Sequence, residues 1–187
     1  MPVSARSIDA ATLDAIVARF ADRGGQPGLA YGVVAGGELV HSGGCGERWT
    51  GGPVPDAGTV FRIASMTKSF TATMVLLLRD QGALQLADPA EGYVPELSGV
   101  RLVSPDCPPI TIRHLLTMTA GFTTDDPWGD RQQGLDPAVF ARLLSSGGVR
   151  SAWAPGTVFE YSNLGYAILG RVIEAVTGED YASAVRT

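Results

Sequence analysis

Apolar side chains recur along this chain at intervals that separate helices from strands. Ile8, Leu13, Ile16, Val17 and Phe20 fall mainly at helical spacing, with Ser7 or Asp9 to cap the start and Gly24-Gly25 to stop it, which predicts a first helix over about residues 9–23. Leu29 to Ala35 and Glu38 to Ser42 are short runs on either side of Gly36-Gly37. That pair tolerates positive φ at both central positions, so the two runs predict a β-hairpin. Gly43 to Gly58, rich in Gly and Pro, predicts loop, and Thr59 to Ile63 a brief extended approach to the next helix.

That helix, about Ser65 to Gln81, carries Met66, Phe70, Thr73, Met74, Leu77 and Leu78 along one broad stripe and meets a stop at Gly82, so it is expected to be central and buried. Glu91 to Pro109 reads as loop. Ile112 to Met118 reads as a short helix behind Thr111, ended by Gly121. Residues 122–136 look irregular, Pro137 suits the first turn of a helix over about 137–145, and Leu164, Ile168, Leu169, Val172, Ile173 and Val176 form the face of a last long helix, with Asn163 before it and Gly178 after. Tyr181 and Val185 repeat the i,i+4 spacing, so a further helix opens close to the last residue. A lone hairpin is marginal in water. Together these features lead us to expect further strands, from a downstream segment or a second chain. The expected fold is α+β: residues 1–64 hold the first helix and hairpin, and residues 65–187 form a mainly helical part packed on a partial antiparallel sheet, with the site between the layers.

With 187 residues and 45% hydrophobic content, the composition is that of a globular protein. The net charge of -5 provides no basic field for nucleic acid or an anionic membrane surface. The longest central apolar run, Met74 to Leu78, is far short of the roughly 20 residues that span a bilayer. Met1 to Ser7 lacks the pattern of a signal peptide, so a cytoplasmic location is expected. Cys45 and Cys107 form no metal-ligand spacing with His41 and His114; two free thiols, no metal and no cofactor are the expectation, and a metal-dependent hydrolase is poorly supported.

Lys68 is the only lysine among 14 basic residues. Arginine keeps its proton in proteins, whereas a desolvated lysine can give its proton up, so a single lysine amid arginines suggests that deprotonation matters. Ser65 lies three residues earlier, which on a helix puts a hydroxyl and an amine on one face, as a nucleophile and its proton acceptor require. Taken alone, the pair also fits an N-cap serine followed by a solvated lysine. Tyr161-Ser162-Asn163 adds a second polar cluster at a loop-to-helix junction. A phenol beside an ammonium can shuttle a proton, and a carboxamide can orient a lysine and a substrate amide. Singly, Asn163 also fits a helix N-cap and Tyr161 a half-buried aromatic.

Phe61-Arg62-Ile63-Ala64-Ser65-Met66-Thr67-Lys68-Ser69-Phe70-Thr71-Ala72 resembles the Ser-x-x-Lys segment of the penicillin-recognising serine hydrolases, the β-lactamase and penicillin-binding-protein family, and most of all its class C β-lactamase-like branch. Thr111 to Gly121 is similar to the helix and turn that follow the nucleophile helix there, and Pro155-Gly156 through Tyr161-Ser162-Asn163-Leu164-Gly165-Tyr166 to its Tyr-x-Asn segment; the similarity runs over about residues 28–187. The resemblance implies a β-lactamase/transpeptidase-like fold in which Ser65 is acylated, Lys68 lies beside it, Tyr161 acts as general base with Lys68, and Asn163 helps to hold substrate and lysine. It implies a small-molecule ester, amide or β-lactam as substrate, and the esterases, D-aminopeptidases, D-alanyl-D-alanine carboxypeptidases and β-lactamases of that branch as relatives. Two departures stand out. Met118 and Ala120 occupy positions where the family usually has His or Ser, and the family's third motif, a strand bearing Lys or His then Gly, has no counterpart in the 187 residues. That strand implies one of two oxyanion-hole donors, each commonly worth about 3 kcal/mol of barrier. The alternative expectation is therefore a catalytically silent fragment or binding module of the same fold.

Overall fold

The computed structural model describes residues 9–124 and 135–186. Ser7 and Ile8, and residues 125–134 of the stretch expected to be irregular, lie outside the described residues. The chain divides after Arg62 into two compact units. Helices and one two-stranded antiparallel sheet make up the described structure, an α+β arrangement.

In the first unit, helix α1 (Ala10–Gly24) starts where the Asp9 side chain accepts from the Ala11 N–H and ends at Gly25, whose φ of 63° is left-handed. Strands β1 (Gly28–Ala35) and β2 (Glu38–Gly46) pair antiparallel around Gly36 and Gly37, both with positive φ, and the register breaks between Val33 and Val34 as a β-bulge. The predicted loop from Gly43 is corrected: β2 runs on through Gly43-Gly44-Cys45-Gly46. Glycine allows this because neighbours press on the strand. A Cβ on Gly44 would sit 1.8 Å from the Pro55 carbonyl oxygen, and one on Gly43 2.5 Å from the Tyr31 hydroxyl. Tyr31 donates to the Asp14 carboxylate, which also meets His41 Nε2 at 2.6 Å, so β1, β2 and α1 share one polar clamp. Helix α1 buries no residue, and Ile16 and Phe20 of its apolar face are exposed.

The second unit contains the core. A 3-10 turn, Ala64–Met66, leads into α2 (Thr67–Asp80), and α3 (Ile112–Leu116), α4 (Pro137–Ser145), α5 (Asn163–Thr177) and α6 (Tyr181–Arg186) follow. Ile112, Leu115, Leu144, Ile168, Leu169 and Ile173 are fully buried together with Val75 and Val172. The inward face of α2 differs from the predicted stripe. Thr71, Val75 and Leu78 are buried, whereas Met66, Phe70 and Leu77 are exposed. Five consecutive apolar residues, Met74 to Leu78, put apolar side chains all round the second half of α2, so periodicity does not reveal its inward side and packing selects it. The predicted loop 91–109 contains a 3-10 turn over Pro95–Gly99 and buries Val94 and Leu97. Helix α3 stops at Leu116, earlier than expected, because Met118 turns to a φ of 55° and Gly121 to 88°. Its start is a reciprocal cap: Thr111 Oγ1 accepts from the His114 N–H, and His114 Nδ1 accepts from the Thr111 N–H. Burial holds the His114 imidazole below its usual range, which suits this acceptor role.

Among the described residues no helix is long and apolar enough to cross a membrane. Cys45 and Cys107 belong to different units and both are free thiols.

Candidate active site

The polypeptide reaches the site through a strained residue. Ala64 takes a φ of 46°, left-handed for a side chain with a Cβ, and this turns the backbone so that Ser65 and Met66 form the 3-10 turn at the head of α2. Ser65 is exposed there. One turn on, Lys68 rises from α2 on the same side, its Nζ 3.2 Å from Ser65 Oγ.

The facing groups come from the junction before α5. The reading of Asn163 as the helix cap is corrected: the cap is Ser162, whose hydroxyl accepts from the Gly165 N–H at 3.0 Å. Asn163 therefore occupies the first helical position, and its Oδ1 accepts from Lys68 Nζ at 2.6 Å. Tyr161, still in the extended approach, places its hydroxyl 2.6 Å from Ser65 Oγ and 2.7 Å from Lys68 Nζ. The structure thus brings all four residues into one hydrogen-bonded cluster, and all four belong to the second unit.

An ammonium has three N–H donors and no acceptor. Lys68 directs them at three oxygens: serine hydroxyl, phenol and carboxamide. Its charge also lies 4.7 Å from the centre of the Tyr161 ring and 5.6 Å from that of Tyr166. The phenol oxygen, 2.6 Å from Ser65 Oγ and 2.7 Å from Lys68 Nζ, lies within proton-transfer distance of both. Sequence reasoning missed Tyr166. Its position three residues after Asn163, one helical turn along the same face, is the signal that could have found it.

A cavity of about 330 Å³ adjoins the cluster, bounded by Thr67, Lys68 and Thr71 of α2 and by Tyr166, Gly170 and Tyr181. Thr71 Oγ1 and the Tyr181 hydroxyl share a 2.7 Å hydrogen bond at its edge. Among the described residues no three His, Cys, Asp or Glu side chains gather as a metal site.

A protein-family model described as Beta-lactamase matches residues 13–187. The chain is 32% identical over 181 residues to the D-alanyl-D-alanine-carboxypeptidase/endopeptidase AmpH of Escherichia coli (strain K12), covering 89% of this chain and 44% of that protein. The octameric penicillin-binding protein homologue from Pyrococcus abyssi superposes with a TM-score of 0.76 at 28% identity, over 96% of this chain and 42% of its own. D-alanine carboxypeptidase AmpC from Burkholderia cenocepacia does so with a TM-score of 0.69 at 34% identity, over 92% and 44%. The chain spans less than half the length of these relatives.

Proposed function

The chain belongs to the beta-lactamase family, and from that premise we propose that it carries the nucleophile half of a serine hydrolase that works through an acyl-enzyme at Ser65. The observation that carries this reading is the convergence of Lys68 Nζ on Ser65, Tyr161 and Asn163 within 3.2 Å. The Ser65 proton passes to the Tyr161 oxygen, which acts as general base together with Lys68, while Oγ bonds to the substrate carbonyl carbon and the carbonyl electron pair moves onto oxygen. As the tetrahedral intermediate collapses, the bond to the leaving group breaks and that group takes the proton back from the Tyr161–Lys68 pair. Water repeats the sequence against the acyl-enzyme, releasing the acid and restoring Ser65. Asn163 holds Lys68 through its carboxamide oxygen and helps to hold the substrate.

The substrate class is an ester, amide or β-lactam, and the carboxypeptidase names of the relatives favour a peptide ending in D-alanine. The Ser65 N–H supplies one oxyanion-hole donor. The second we assign, with the family's third motif, to a further segment or second chain that also extends the two-stranded sheet. Without that donor a loss of about 3 kcal/mol of transition-state stabilisation is expected.

Mass spectrometry of the assembled enzyme after exposure to a fluorophosphonate or a penicillin tests the reading. An adduct at Ser65 is expected, and an adduct elsewhere refutes the assignment. For the isolated chain, equal hydrolysis of a short-chain p-nitrophenyl ester by wild type and Ser65→Ala favours a silent binding module.

A further inference from the structure

Three hydrogen bonds explain where the Lys68 ammonium points, but not what keeps a flexible four-carbon stem from pointing elsewhere. Lys68 also lines the 330 Å³ cavity, whose lining includes none of Ser65, Tyr161 and Asn163. Tyr166 borders the same cavity, and its ring centre lies 5.6 Å from Nζ, within the range of a cation–π attraction. The ring is itself fixed. Its hydroxyl donates to the Leu116 carbonyl at the end of α3, at 3.1 Å, so α3 and α5 together set its angle. Burial, with Tyr161 nearby, pushes the Tyr166 phenol up, which keeps it protonated as that donor. The two tyrosines therefore differ in kind: the Tyr161 oxygen contacts the serine, whereas the Tyr166 oxygen is committed to backbone and only its ring addresses the lysine.

We propose that Tyr166 is a positioning residue for Lys68: its ring, anchored through its hydroxyl to Leu116, holds the ammonium toward Ser65, Tyr161 and Asn163 rather than over the cavity. The proposal deepens the hydrolase reading and rests on it for its catalytic meaning. It is directly observable, because the chain has one lysine and lysine labelled with carbon-13 gives a single side-chain ε-methylene signal.

In the wild-type chain that signal is expected upfield of free lysine, shifted by the two aromatic faces. Tyr166→Phe, which keeps the ring, should retain most of the shift. Tyr166→Leu should move the signal toward the free-lysine position and slow acylation of Ser65 by about tenfold. Tyr166→Met, a flexible filler of similar reach, carries the test if the leucine variant melts early. A folded Leu or Met variant with the wild-type lysine signal overturns the proposal, as does a Phe variant displaced as far as the Leu variant. Labelled Ser65 with an unresponsive lysine signal removes the positioning role alone. A responsive lysine signal with Ser65 never labelled in the assembled enzyme removes the hydrolase reading and leaves the positioning intact.

Discussion

Replacing Tyr161 by phenylalanine deletes one oxygen and separates the chemistry of the cluster from its packing. Ser65 Oγ loses its 2.6 Å partner and keeps only Lys68 at 3.2 Å, while the ring that lies 4.7 Å from the ammonium stays. Lys68 retains Asn163 at 2.6 Å, so the fold should lose about 1 kcal/mol, a drop of about 2–4 °C in Tm. The reaction loses its proton acceptor, a contribution of about 10²–10⁴ in rate, or roughly 3–5 kcal/mol of barrier. Because Tyr161 and Lys68 lie 2.7 Å apart and serve one serine, they act as a unit. The Tyr161→Phe, Lys68→Met double variant should then be hardly slower than the worse single variant. The assay is the rate of fluorophosphonate incorporation into the assembled enzyme, read by intact mass, with thermal melts alongside. A phenylalanine variant within about twofold of wild type, or losses that simply multiply in the double variant, would refute the phenol as base.

Ala64→Gly relieves a left-handed Cβ and should stabilise the second unit by about 1 kcal/mol in a denaturant melt, and an unchanged or lower midpoint would deny the strain. Leu169→Ala empties a fully buried site on α5 and should cost about 2–5 kcal/mol in the same measurement; a loss under about 1 kcal/mol would place Leu169 outside the core. Besides Tyr166, two further phenols titrate late. The hydrogen bond to Asp14 pushes Tyr31 up to about 12, and burial with the 2.6 Å bond to Asp88 does the same for Tyr93. Both folded values exceed the ordinary phenol value of 10.0, so their stabilising contribution is complete below pH 10 and is lost as pH rises toward 12. Absorbance at 295 nm should show two phenols ionising near 12, and complete ionisation of the folded protein by pH 11 would contradict the clamp.

Ser65, Lys68, Tyr161 and Asn163 were legible as candidates because helical spacing and motif order are one-dimensional signals that survive without coordinates. Their convergence was not, since it joins residues about a hundred positions apart and depends on where α5 begins. Ser162 and Asn163 are both good caps, and composition does not choose between them; the bond from Gly165 to Ser162 does, and it releases Asn163 to face Lys68. The hairpin was readable from Gly36-Gly37, but not the continuation of β2 through Gly43 and Gly44. Glycine usually marks a turn, and here it marks the close approach of Pro55 and Tyr31. The inward face of α2 was hidden by the unbroken apolar run Met74 to Leu78, which has no periodicity to read. The left-handed Ala64 carried no sequence signal, because alanine seldom adopts that conformation.

The irregularity between Val33 and Val34 has a consequence for the chain at high concentration. Among the described residues each strand of the sheet presents one row of backbone groups with no strand alongside, and a flat row of that kind templates fibrous stacking wherever no further segment covers it. The extra residue, Val40 of β2, interrupts the rhythm close to the turn, so a strand pairing along β2 can match only one side of it. Self-association through the β2 edge should therefore be limited to the stretch beyond the bulge, from His41 to Gly46.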